Sequence, residues 1–179
     1  ASFYWDIGVD LGSSNIRIYL KDRGMVLEEP ALLARKRRKR WTGLSAPKQK
    51  IVLPLAFGDK AKAIKSRESN GVEVVAPIER GVIADPEAAV SLLSYYLKMV
   101  YEIKSNYPKI LKPRVVVGVP SNINSVQKRA FSSVFEAAGA RKVHLVEQAV
   151  LVALGAGLPI ARTASLMVVD VGGGKTEVR

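Results

Sequence analysis

Two short stretches of this chain share one chemical design. Val9-Asp10-Leu11-Gly12-Ser13-Ser14-Asn15-Ile16-Arg17-Ile18 is echoed by Val169-Asp170-Val171-Gly172-Gly173-Gly174-Lys175-Thr176-Glu177-Val178, with Asp10 and Asp170 standing 160 residues apart. In each, an apolar strand carries an Asp, one apolar residue follows, and Gly with small polar residues turns the chain back into a strand. Glycine lets a backbone approach a ligand closely and adopt positive φ, and successive N–H groups in such a turn form a nest for anions. An Asp at the strand end is a hard oxygen donor suited to Mg²⁺, an ion that keeps several waters and takes few carboxylates. Two such hairpins facing each other would grip a polyphosphate from both sides. Gly174-Lys175-Thr176 has the ending of a P-loop, but Val169 stands where that pattern requires its first glycine. The P-loop is excluded.

Positioning these hairpins is the task of the elements around them. Ile7–Leu11 and Ile16–Leu20 flank the Gly12-Ser13-Ser14-Asn15 turn, and Lys21-Asp22-Arg23-Gly24 turns the chain again into Met25–Leu27. The spacing predicts an antiparallel meander. From Val72 the pattern becomes α/β. Asp85-Pro86 starts a helix whose stripe holds Ala89, Leu93, Leu97 and Val100, with Tyr96 and Ile103 alongside. Val115–Val119 and Val143–Val146 are expected strands, with a helix over Ser125–Ala138 between them that buries Val126, Ala130, Val134 and Ala138. Ala149–Ala156 is apolar on every side and so predicts a buried helix, and Leu166–Val171 a buried strand. Strands alternating with helices imply a mixed sheet whose parallel part is covered on both faces.

Composition narrows the function classes. The 179 residues are 48% hydrophobic and 25% charged, a balance that folds rather than stays disordered. No apolar run has the length of a membrane-spanning helix. Zero cysteines exclude disulfides and cysteine-ligated metal, and a lone His144 excludes a His-based zinc site. The net charge of +12 is concentrated: eight basic residues and no acidic one lie between Arg35 and Lys50. That block, with Trp41 beside it, sits in a stretch of different character over residues 31–71, expected to be a small inserted subdomain with a short helix at Asp59–Lys65. Anionic lipid or nucleic acid would suit it electrostatically, but no nucleic-acid module accompanies it and nucleic acid is not the expected partner. Ile110-Leu111, flanked by Lys109, Lys112 and Arg114, suits shallow insertion into an anionic leaflet. The aromatic run Phe3-Tyr4-Trp5 is expected to pack against the first strand.

The paired hairpins resemble the two phosphate motifs of the actin-like ATPase superfamily, and the finer resemblance is to the MreB family of bacterial actins. It rests on Val9–Asn15, Val26-Leu27-Glu28-Glu29-Pro30, Gly58-Asp59-Lys60-Ala61-Lys62, Gly81–Asp85, Lys112–Ser121, Glu136–Ala140, Gly155–Pro159 and Met167–Gly174. The resemblance implies an α/β fold: an RNase H-like actin-superfamily domain, a mixed five-stranded sheet with flanking helices, carrying a small inserted subdomain. Residues 1–30 and 72–179 would be domain IA and residues 31–71 subdomain IB, with a second actin-like domain expected beyond Arg179. It implies ATP and Mg²⁺ as ligands, with Asp10 and Asp170 serving the metal. Gly12, Ser13, Ser14 and Asn15, with Gly172, Gly173, Gly174, Lys175 and Thr176, would hold the phosphates. The implied catalytic residues are Gln148, which would position water, and Asp170. Two departures stand out. Glu147-Gln148-Ala149 replaces the family's Glu-Glu-Pro, and Lys175 replaces a Thr. Gln orients water by hydrogen bonding but takes no proton, so the resemblance implies nucleotide binding with impaired hydrolysis. It further implies self-assembly into protofilaments, a cytoplasmic place under the inner face of the membrane, and a role with the cell-wall synthesis machinery in setting cell shape. Other readings are a chaperone-type or sugar-kinase ATPase of the same superfamily, or an adaptor that uses the basic block beside a degenerate nucleotide site.

Overall fold

The chain opens as a meander because its apolar residues alternate. β1 (Asp6–Leu11), β2 (Asn15–Leu20) and β3 (Gly24–Pro30) pair antiparallel in sequence order. Ile7, Val9 and Leu11 with Ile16, Ile18 and Leu20 share one face and are buried, which leaves Asp10 and Arg17 together on the other. The computed structural model describes residues 5–21, 23–36, 53–66, 71–103, 112–160, 167–173 and 176–178. Ile110, Leu111, Gly174, Lys175, the Arg37–Lys50 part of the basic block and residues 3 and 4 lie outside the described residues.

β4 (Leu33–Lys36), β5 (Pro54–Phe57) and β6 (Val72–Val75) form a three-stranded antiparallel sheet in the order β5-β4-β6, and α1 (Gly58–Lys65) packs beside it. Its third strand lies just past residue 71, the expected limit of the insertion. β7 (Ile78–Glu79) and β8 (Val82–Ile83) make a two-stranded ribbon. The guanidinium of Arg35, almost wholly buried, bonds Glu73 on the neighbouring strand β6 at 2.6 Å and ties the small sheet to the rest of the chain through Asp85 at 2.7 Å. Asp85 also accepts the Ala88 N–H at 3.0 Å, capping α2 (Pro86–Ile103) as the Asp-Pro pair predicts.

β9 (Arg114–Val119), α3 (Ser125–Ala137), β10 (Lys142–Glu147) and α4 (Gln148–Gly155) complete the α/β part. The main sheet has the order β10-β9-β1-β2-β3, parallel across β10, β9 and β1 and antiparallel beyond. This is the mixed five-stranded sheet the sequence implies. Asp6 and Arg114 stand at paired positions of β1 and β9 and form two hydrogen bonds, 2.7 and 2.8 Å. α2 and α3 cover the apolar face with Leu92, Leu93, Tyr96, Phe131 and Phe135, each at most 1% exposed. Burying one such side chain is worth about 1.5–3 kcal/mol. Trp5 is buried as well, edge-to-face with Tyr101 at 4.6 Å, so this aromatic belongs to packing. No helix among the described residues is long and apolar enough to cross a membrane.

Four expectations are corrected. α3 buries Phe131, Val134 and Phe135, whereas Val126 is 73% exposed. The parallel part of the sheet is buried on one face, at Val115, Val117 and Val119 of β9, and only half-buried on the other, at Arg114, Val116 and Gly118. α4 itself buries only Ala153 and exposes Leu154, and β11 (Val169–Val171) is not a buried strand of the main sheet. It pairs instead with β12 (Thr176–Val178) in a separate ribbon, with Val169 and Val171 exposed.

Candidate nucleotide-phosphate site

Both hairpins arrive at one cleft. A cavity of about 280 Å³ is lined by Asp10, Gly12, Ser13, Ser14, Asn15, Gln148, Asp170, Gly172 and Gly173, so nine of the residues singled out from sequence converge there. Thr176 does not line it; it pairs with Val171 and is exposed.

The first turn is set by Gly12, whose N–H donates to the Asn15 carbonyl at 3.0 Å. A Cβ on Gly12 would come within 3.0 Å of that same oxygen. Ser13 is fixed by the β7–β8 ribbon: its Oγ accepts the Gly81 N–H at 3.3 Å. The Ser14 carbonyl accepts the Ala31 N–H at 2.8 Å, which anchors the turn to the end of β3. Across the cleft, a Cβ built on Gly173 would overlap the Ser14 hydroxyl and lie 3.1 Å from the Ser14 Cβ. The two tips therefore touch, and a side chain at position 173 would displace the Ser14 hydroxyl from the contact. Gly12 and Gly173 do not adopt positive φ, so their role is close approach rather than left-handed backbone; positive φ is found at Arg80 and Gly81 in the neighbouring ribbon.

Gln148 begins α4 and is half-buried. It lines the cleft beside Gly118 of β9, where a Cβ would stand at ordinary contact distance, 4.0 Å, from the Gln148 Cβ and Cγ and press on Leu151 Cδ1 at 3.2 Å. A side chain amide at that point can donate to or accept from a bound water.

The charged groups are arranged asymmetrically. Asp10, Arg17 and Glu28 occupy directly paired positions on β1, β2 and β3. Arg17 Nη1 donates to Asp10 Oδ2 at 3.2 Å and Arg17 Nε donates to Glu28 Oε1 at 2.8 Å. These bonds, Glu28's ahead of Asp10's, strengthen the guanidinium's hold on its proton. In the second hairpin the position paired with Asp170 is Glu177. Asp170 is half-buried and forms no ion pair with a described residue. Among the described residues no three His, Cys, Asp or Glu side chains cluster. Mg²⁺ needs only one or two protein carboxylates, and the oxygen donors of Asp10 and Asp170 fit that ion in type.

Arg17, Gly81 and Gly118 also line the cleft and were not singled out from sequence. Two signals mark them. Pairing the first hairpin around its turn sets Arg17 opposite Asp10, and a glycine inside the Val-Val-Val-Gly-Val strand marks a close approach.

Comparison with known proteins agrees with this geometry. A family model described as MreB/Mbl protein matches residues 4–179. Cell shape-determining protein Mbl of Bacillus cereus is 36% identical over 176 residues, which cover 98% of this chain and 48% of that protein. Cell shape-determining protein MreB of Escherichia coli is 36% identical over 173 residues, 97% of this chain and 47% of that protein. The chain thus spans about half the length of these relatives. Among solved structures, MreB5 of Spiroplasma citri bound to ADP matches with a TM-score of 0.80 and 28% identity, over 98% of this chain and 47% of that one.

Proposed function

The chain belongs to the MreB/Mbl family and has its actin-like fold, and from that premise we propose that it is the nucleotide-gripping first half of an ATP-binding, filament-forming bacterial actin that organises cell-wall synthesis and so determines cell shape. The observation that carries this is the contact of the two hairpin tips, Ser14 against Gly173, around a cleft lined by Asp10, Asp170 and Gln148. The ADP held by the S. citri relative and the names of the other relatives support the same reading.

Gly12, Ser13, Ser14 and Asn15 present one set of backbone and hydroxyl groups to a polyphosphate, and Gly172 and Gly173 present the other. Mg²⁺, when bound, neutralises phosphate charge. Gln148 orients a water at the end of the phosphate chain by hydrogen bonding and takes no proton from it. Lys175 adds a fixed positive charge next to the second turn. This set favours tight nucleotide binding over turnover. Filaments assembled at the inner face of the membrane are the expected working form, with other copies of the protein and the wall-building machinery as partners.

The test is made on the full-length protein with Mg·ATP: binding, pelleting on ultracentrifugation, and phosphate release are measured together. Binding and pelleting with slow phosphate release are expected. Loss of both binding and pelleting in a folded sample would overturn the proposal.

A further inference from the structure

The first hairpin carries its own cation. Asp10, Arg17 and Glu28 are aligned across three strands, on the sheet face turned away from the core, and Arg17 lines the phosphate cleft with Asp10. The guanidinium is bound to Asp10 at 3.2 Å on the cleft side and to Glu28 at 2.8 Å on the other. Its side chain remains 38% exposed, so it is accessible to a ligand in the cleft. The second hairpin has the opposite arrangement: the position paired with Asp170 is an acid, Glu177, and Asp170 has no cation among the described residues. Among the described residues, therefore, Asp10 has a cation partner and Asp170 has none.

We propose, resting on the phosphate-site reading above, that Arg17 is the resident cation on the first-hairpin side of this cleft. It occupies the Asp10 carboxylate, leaves the divalent ion to be held from the Asp170 side, and supplies positive charge to the phosphates when that ion is absent. Guanidinium suits this role because it stays charged at any working pH and offers several donors in a fixed fork. Two bonds go to carboxylates, and the remaining donors are free to meet phosphate oxygens. Glu28 holds the guanidinium from outside, so that a phosphate competes with Asp10 alone for it.

The experiment measures binding of a fluorescent ATP analogue to the full-length protein in EDTA and across a Mg²⁺ titration. Five proteins are compared: wild type, Arg17→Leu, Arg17→Lys, Asp10→Asn and Asp170→Asn. Circular dichroism of each variant establishes that it is folded. Wild type is expected to lose little affinity in EDTA. Arg17→Leu is expected to lose roughly tenfold or more in EDTA, the worth of one charge-assisted contact, and to recover with Mg²⁺ at a lower half-saturating concentration. Arg17→Lys, which keeps the charge, should lie between them. Asp170→Asn should raise the Mg²⁺ requirement and Asp10→Asn should change it little. Identical Mg²⁺ dependence of wild type and Arg17→Leu would overturn the assignment of Arg17, as would an Asp10→Asn effect as large as that of Asp170→Asn. Absence of binding by folded wild type in both buffers would instead overturn the phosphate-site reading, and this inference with it.

Discussion

A methyl group has no room at Gly173, because the Ser14 side chain already fills the space where it would stand. Gly173→Ala therefore turns the Ser14 hydroxyl out of its place and shifts the two tips by a few tenths of an ångström, and the damage falls on the cleft rather than on the core, since neither residue is buried. ATP affinity is expected to fall by roughly tenfold, equivalent to about 1.4 kcal/mol, with little change in melting temperature. Adding Ser14→Gly to that variant removes the obstacle and should recover part of the loss. Unchanged affinity in Gly173→Ala would mean that the contact of the tips is not needed for binding. The gathering of these residues at one cleft was legible at this scale because glycine permits close backbone approach and aspartate places a carboxylate on a short side chain. The reason for the glycines was legible only in part. Close approach holds for Gly12 and Gly173, but positive φ falls on Gly81, whose N–H donates to Ser13. Arg17 escaped notice because its meaning depends on strand register. It becomes a site residue only once the turn fixes which side chain it faces.

The elements were legible wherever periodicity and punctuation agreed. Asp85-Pro86 starts α2 and caps it, and alternation in β1 and β2 sets which face is buried. The expected stripe of α3 holds at Val134 and Ala138, which pack into the core, and fails at Val126 for a geometrical reason. Val126, Ala130, Val134 and Ala138 are spaced by four, and on a helix of 3.6 residues per turn such a line drifts about 40° per step, away from the core. Phe131 and Phe135 outweigh it, because the largest apolar side chains decide the buried face. For α4, apolar composition was taken as burial, but among the described residues only β9, β10 and β11 make repeated contact with it. Its seat on β9 depends on Gly118. Gly118→Ala brings a methyl group to 3.2 Å from Leu151 Cδ1, so that half-buried side chain must shift by a few tenths of an ångström, and the expected cost in stability is below about 1 kcal/mol. Leu151→Ala removes that obstacle, so the double variant should lose less than the sum of the two single losses in a thermal-unfolding cycle. Strict additivity would show that α4 does not rest on this glycine.

The whole molecule is held across its longest sequence separations by ion pairs as well as by the core. Arg35, held by Glu73 within the small sheet, joins that sheet to the start of α2 through Asp85, and Asp6 and Arg114 join the first strand to one that follows 108 residues later. Neither clamp was legible from composition, where these residues are only a few among many charges. Each needs the topology to bring its partners together. The Asp6–Arg114 pair makes stability depend on pH in a definite direction. The hydrogen bonds from Arg114, ahead of its charge, hold the Asp6 carboxyl below the ordinary value of 3.8, against the opposing effect of burial. A carboxyl whose acidity is increased by folding stabilises the native state at pH above its unfolded value, and the contribution disappears as pH falls through the folded value. Stability from this pair is therefore constant between neutrality and about pH 5, and it declines below about pH 4. Both side chains are roughly one-third exposed, so water screens the pair and its contribution is about 0.5–1 kcal/mol even with two bonds in good geometry. Asp6→Asn keeps the size and loses the charge. Urea unfolding of the two proteins should differ by that amount at pH 7 and converge as pH approaches 3. A gap that persists undiminished in acid would assign the loss to packing at the start of β1 instead of to the ion pair.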